Sequence, residues 1–88
     1  MRHIKDPRFQ LLFDALPADV RAVVANRNFA LLKSDPKHPS LHFKCIRGDL
    51  WSVRVGRRYR AVAVKGDDRF QWFWIGTHAD YDALIRRP

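Results

Sequence analysis

Eighty-eight residues make one domain with one core, because a chain of this size buries only about 60–65% of the surface it exposes when unfolded; a single domain over 1–88 is expected, and repeat arrays are excluded. Hydrophobic residues at 47% and aromatics at 12% exclude a disordered chain. Seventeen Lys and Arg, twelve of them Arg, against nine acids give +8.

Every acid is Asp, so a general base must be Asp, His, Lys, Tyr or Cys. The positive excess favours a polyanionic partner, nucleic acid ahead of an acidic protein, since basic clusters displace counterions from phosphates and steer encounter. The lone Cys45 has no cysteine to pair with, so neither a disulfide nor a thiol metal cluster is expected. No apolar run approaches the ~20 residues of a membrane span, and the chain opens on an amphipathic segment without a secretory pattern. A cytoplasmic protein with no membrane contact is the expectation.

Asp6-Pro7 predicts a helix start, the carboxylate capping free amides and Pro sitting at the first helical position. Phe9, Leu12, Phe13 and Leu16 then form one apolar face. Pro17 starts a second helix striped by Val20, Val23, Val24 and Leu31 and widened by Phe29 and Leu32, which makes a helical hairpin. The Pro-rich stretch 35–40 ends it. From there the period is two, and Leu41–Ile46, Leu50–Val55, Tyr59–Lys65 and Phe70–Ile75 read as four strands joined by short Gly-bearing turns. Thr77 and Asp80 resemble a capping box, and a short helix over about Ala79–Arg86 follows.

The expected fold class is α+β: a two-helix hairpin packed on a four-stranded antiparallel sheet, with a short C-terminal helix. Alternation puts Trp51, Val53 and Val55 on the core side of their strand. Arg60 shares a side with Val62 and Val64, opposite Tyr59, Ala61 and Ala63. In the last strand Phe70, Trp72 and Trp74 oppose Phe73 and Ile75.

Lys44, Arg47, Arg54, Arg57, Arg58 and Arg60 crowd two adjacent strands against a single Asp49. Arginine forks match phosphate oxygens, so this reads as a phosphate cradle; the plainer reading is a charged strand edge kept from aggregating. His78 lies between a strand end and a capped helix, where a positive helix terminus favours a neutral ring able to act as a base. It reads equally as an ordinary turn residue. Tyr81, one turn on, either presents its hydroxyl to the same space or packs its ring on the sheet. His38 and His42 are kept apart by Pro39, and no third donor completes a metal set. No cofactor motif is present.

Three stretches, 43–48, 50–62 and 74–81, carry a Lys/Arg strand ending in Gly, a Tyr59-Arg60 strand, and an Ile75-Gly76-Thr77-His78 turn leading to Tyr81. In that order they resemble the RelE/ParE superfamily of bacterial toxin-antitoxin toxins. The resemblance covers nearly the whole chain and implies a toxin held by an acidic, partly disordered antitoxin that also reaches operator DNA. RelE-like members enter the ribosome and cut mRNA without metal, by attack of a ribose 2′-hydroxyl on the adjacent phosphate. ParE-like members inhibit DNA gyrase and lack that catalytic set, and a third alternative is a non-catalytic member that only binds its antitoxin and operator DNA. On the RelE-like branch the resemblance implies a catalytic set of Arg60, His78, Tyr81 and Arg54, with Lys44, Arg47, Arg57 and Arg58 binding RNA. Ser52 stands where such nucleases often carry a second basic residue. The superfamily's usual first strand finds at most a stub in Met1 to Lys5.

Overall fold

In the computed structural model, which describes residues 1–86 and Ala25 by its backbone alone, Asp6 caps the first helix as its place before Pro7 predicts. Its Oδ1 accepts from the backbone N–H groups of Arg8 at 2.9 Å and Phe9 at 3.1 Å. The elements run β1 (Arg2–Lys5), α1 (Pro7–Asp14), α2 (Ala18–Val23), a π-helical turn (Val24–Asn28), α3 (Phe29–Ser34), β2 (Lys44–Arg47), β3 (Leu50–Val55), β4 (Tyr59–Lys65), β5 (Arg69–Thr77) and α4 (His78–Ile85). The class is α+β as expected, with the helical hairpin on one sheet face.

The sheet has five strands, in the order β1-β5-β4-β3-β2, where four were expected. Arg2–Lys5 pairs in parallel with the start of β5. Two side chains tie that strand down. The Trp72 indole N–H donates to His3 Nδ1 at 3.0 Å, and the His3 ring stacks on Phe70 and Trp72. The other pairings are antiparallel. β2 begins at Lys44, not Leu41, because Pro39–Leu41 winds into a 3-10 turn and His42 takes a left-handed φ of 46°.

Two one-residue insertions set which side chains face the helices. Ala63 pairs with Trp72 while Val62 pairs with Trp74, so Phe73 is an extra residue in β5. That bulge restarts the alternation. Trp72 and Ile75 join the core, and Trp74 moves to the opposite face from the one expected. The π-helical turn does the same for the hairpin: Val24 and Phe29, five apart, both reach the core with Leu32. Ring edges knit that core, with Phe29 against Trp72 at 5.3 Å and against Phe9 at 5.9 Å.

The β1 anchor is acid-sensitive. Burial, followed by the charges of Lys33 and the chain's N-terminus, pushes the His3 pKa below its usual 6.5. Burial pushes the Asp6 carboxyl up, but hydrogen bonds from Arg8, the Phe9 amide and Gln71 and the Arg8 charge outweigh it and hold it below 3.8. In both cases the unfolded chain binds protons more readily than the native one, so stability falls with pH: first below about 6.5 for His3, then through the carboxylate range for Asp6. His3→Asn keeps an acceptor at the Nδ1 position for the Trp72 indole and removes the titration. Its denaturant midpoint is expected to change less between pH 7 and 5 than that of the wild type; equal changes would contradict this role for His3.

Candidate functional site

The sheet face away from the hairpin is not left open. β4 puts Arg60 and Val62 on this face, β3 puts Ser52 and Arg54 there, and β5 puts Trp74 and Gly76 there, Arg60 standing between Arg54 and Gly76 in the cross-strand register. α4 starts at the end of β5 and lies back over this row. Its start is fixed twice: Thr77 Oγ1 accepts from the Asp80 amide at 3.2 Å, and the His78 amide donates to the Arg58 carbonyl at 2.6 Å. Arg47 holds the other end, donating from Nη1 to the Ile85 carbonyl at 2.9 Å, where a cation also suits the helix dipole.

Tyr81 is the residue by which α4 closes on the sheet. It is 5% exposed, and its hydroxyl donates to Ser52 Oγ at 3.2 Å. Ser52 is fully buried, and its small side chain accommodates the phenol. The ring lies over the Arg60 guanidinium at 5.2 Å. Trp74 meets Tyr81 at 6.5 Å, and its indole folds across Gly76, where a Cβ would come within 2.7 Å of the ring. Arg60 is thus half-buried, and its Nε and Nη1 have no hydrogen-bond partner among the described residues. Tyr81 offers no open face to a base here, and its observed contact is with Arg60.

His78 is exposed at the first turn of α4, with its ring edge-on to Tyr81 at 6.1 Å and its Nδ1 3.2 Å from Asp82 Oδ2. Arg57 and Arg58 are exposed in the β3–β4 turn beside it, where Gly56 takes the positive φ of 60° that the turn needs. Arg54 is the cross-strand partner of Arg60, yet its Nε turns away to the Gly56 carbonyl at 2.9 Å. The structure therefore brings Arg60, His78, Tyr81 and the Arg57-Arg58 turn to one end of the sheet. Lys44 is exposed on the edge strand β2 in register with Ser52, and Arg47 is committed to the far end of α4.

Ser52, Trp74 and Asp82 are the residues that sequence reasoning left out of this site. Asp82 carried a readable signal, since it stands four residues after His78 on a predicted helix. Ser52 was legible only as a missing cation. Among the described residues no group of three or more His, Cys, Asp or Glu side chains is placed to hold a metal ion, and no helix is long and apolar enough to cross a membrane.

A sequence profile described as ParE-like toxin domain matches residues 24–83. No curated protein sequence matches. Similar solved structures include the RelB-RelE antitoxin-toxin complex from Methanococcus jannaschii, at TM-score 0.70 and 16% identity over 92% of this chain and 96% of that one. The isolated RelE toxin of E. coli superposes at TM-score 0.61 and 16% identity, covering 97% and 96%. A copper-bound mutant toxin from Helicobacter pylori gives TM-score 0.62 and 18% identity, covering 91% and 97%. At these identities the structures share the fold.

Proposed function

The chain belongs to the ParE-like toxin family, within the RelE/ParE superfamily, and from that premise we propose that it is a ribosome-dependent endoribonuclease that cuts mRNA and stops translation. The observation that carries this reading is the guanidinium of Arg60, held under Tyr81 with its Nε and Nη1 unpartnered among the described residues. Buried donors without acceptors cost free energy that a phosphate oxygen would return where Tyr81 and α4 make way for it. In the reaction the ribose 2′-oxygen bonds to phosphorus and the 5′-oxygen leaves, giving a 2′,3′-cyclic phosphate and a 5′-hydroxyl. Arg60 stabilises the charge that builds on phosphorus. His78 takes the 2′ proton or supplies one to the leaving oxygen. Tyr81 orients Arg60, while Lys44, Arg54, Arg57 and Arg58 hold the RNA backbone. His78 serves one of the two proton transfers and solvent water the other, and the scheme calls for no metal.

A second reading is a non-catalytic DNA gyrase inhibitor. It is favoured by the ParE-like character of the matching profile and by the burial of Tyr81. Inducing the chain alone separates the two. The nuclease reading expects translation to stop first, with new 5′ ends inside coding regions; early double-strand breaks with intact messages would overturn it.

The partner is an acidic antitoxin, a reading supported by the RelB-RelE complex among the similar structures and by the surface itself. Grooves of about 350 Å³ and 250 Å³ between the helices and the β3–β4 turn share Val23 and Gly56, and Arg27, Arg54, Arg57 and Arg58 rim them. Apolar anchors between acidic residues suit such a groove, and an antitoxin of this kind would order on binding and carry the pair to operator DNA. With +8 on the toxin, its association rate should fall about tenfold or more as salt rises, while dissociation changes little. Equal association rates at low and high salt would contradict electrostatic steering. The cytoplasm, where ribosomes and operators are, is the proposed place of action.

A further inference from the structure

The π-helical turn at Val24–Asn28 does more than complete the core. The Phe29 amide reaches back five residues to the Val24 carbonyl, one residue further than in an α-helix. In a regular helix Asn28, four residues after Val24, would share its inward face; the wider turn gives that place to Phe29 and brings Arg27 and Asn28 to the open edge of β3. β2 reaches only as far as Ser52 along that strand, so Arg54 lies beyond it. The Lys65 amide bonds to the Asp49 carbonyl and the His78 amide to the Arg58 carbonyl, which makes Arg54 and Arg60 a non-hydrogen-bonded pair of the ladder. Both backbone groups of Arg54 therefore face the edge. Its carbonyl accepts from Asn28 Nδ2 at 2.8 Å, and its N–H has no partner among the described residues.

Arg27, Asn28 and Arg54 line one pocket of about 350 Å³, and no acidic residue is in its wall. The Arg27 side chain is exposed and makes no hydrogen bond or ion pair with a described residue. Arg54 is steered away from Arg60 by its Nε bond to the Gly56 carbonyl at 2.9 Å, which leaves its terminal nitrogens to donate. Two guanidinium forks and a backbone amide at one pocket make a donor set for an anion with several acceptor oxygens. We propose that this pocket is a second phosphate subsite, gripping an RNA backbone phosphate that flanks the one at Arg60. Its place in cleavage rests on the nuclease reading above; the anion site does not. Arg54 and Arg60 are cross-strand neighbours, about 4.5 Å apart at Cα for a pair of this kind, so a strand held at Arg60 runs on across the edge of β3 toward Arg27. RNA repeats its phosphate at every nucleotide and presents a second one there, whereas an antitoxin carboxylate has no such tie to Arg60. A π-helical turn is rare and often marks a functional site; here it is what sets Arg27 beside Arg54.

Single-stranded 2′-O-methyl RNA, whose blocked 2′-oxygen prevents cleavage, reads binding to the toxin alone by fluorescence anisotropy. Arg27→Ala is expected to weaken binding about tenfold and to lower the slope of log affinity against log salt by about 0.7, the value of one phosphate on a single strand. Arg27→Lys should keep the slope and recover part of the affinity. Arg69→Ala removes the same charge at the opposite end of the sheet and should leave the slope unchanged. In nitrogen-15 NMR spectra the Arg54 backbone amide should shift when the oligomer is added to wild type and stay in place in Arg27→Ala, with circular dichroism the same in every variant. Wild-type affinity and slope in Arg27→Ala, or an equal loss in Arg69→Ala, overturns the subsite and leaves the groove to the antitoxin. A toxin that shows these binding effects yet cuts no ribosome-bound message overturns the nuclease reading and leaves the subsite standing.

Discussion

Arg60→Ala is expected to abolish toxicity while leaving the protein as stable as the wild type or slightly more so. The two effects have separate causes. A preorganised donor at a centre of developing charge is worth roughly 3–4 kcal/mol, a loss of about 100- to 1000-fold in rate. In the resting protein the same guanidinium leaves Nε and Nη1 without partners among the described residues, and each buried unsatisfied donor costs about 1–3 kcal/mol. Its contact with the Tyr81 ring returns about 0.5–2 kcal/mol. The balance puts Arg60 there for function at the expense of stability. Chemical denaturation alongside a cleavage assay checks both halves; a variant that is inactive because it is unfolded would contradict the account.

His78→Ala is the second large effect, and it discriminates between enzyme and binder. General acid or base assistance typically contributes 100- to 10,000-fold, so cleavage should fall by about as much as for Arg60→Ala or somewhat less. The residue is exposed and is bonded through its backbone to Arg58, and alanine keeps that bond, so the fold and antitoxin binding should be retained. For a toxin that only binds gyrase, losing one exposed imidazole would barely change growth arrest. Full toxicity of a folded His78→Ala protein would therefore move the balance to the gyrase reading.

What the sequence revealed and what it hid divide along the range of the interactions. Both helix starts were legible at Asp6-Pro7 and Thr77-Asp80 because a cap is settled within three residues, and the Asp6 and Thr77 bonds are present. The alternation that placed Arg60 with Val62, opposite Ala61 and Ala63, survives in β4 because nothing interrupts it there. β1 was hidden: its four residues show no clear alternation, and what makes them a strand is pairing with β5 and an indole 69 residues away. The bulge at Phe73 and the π-helical turn at Val24–Asn28 were hidden because each adds one residue to a periodic pattern and leaves the composition unchanged.

The candidate site was legible as a set of residues but not as an arrangement. Lys44, Arg54, Arg57, Arg58, Arg60, His78 and Tyr81 lie on the strands, the β3–β4 turn and the C-terminal helix the pattern assigned. Only the fold shows that Tyr81 points inward. That follows from Ser52, whose small hydroxyl leaves space and an acceptor for the phenol where a long cation would have pushed it out. The burial of Arg60 follows in turn from Tyr81, so one small residue on β3 lets α4 close over Arg60.

The most direct test of the central claim is to add the purified toxin to ribosomes programmed with a defined mRNA and to map the products. The account predicts cuts in the message on the ribosome that leave a 2′,3′-cyclic phosphate and a 5′-hydroxyl, absent with the folded Arg60→Ala, His78→Ala double variant. Wild-type cleavage by that double variant, or an intact message in the presence of active wild-type toxin that instead blocks gyrase supercoiling, would contradict it.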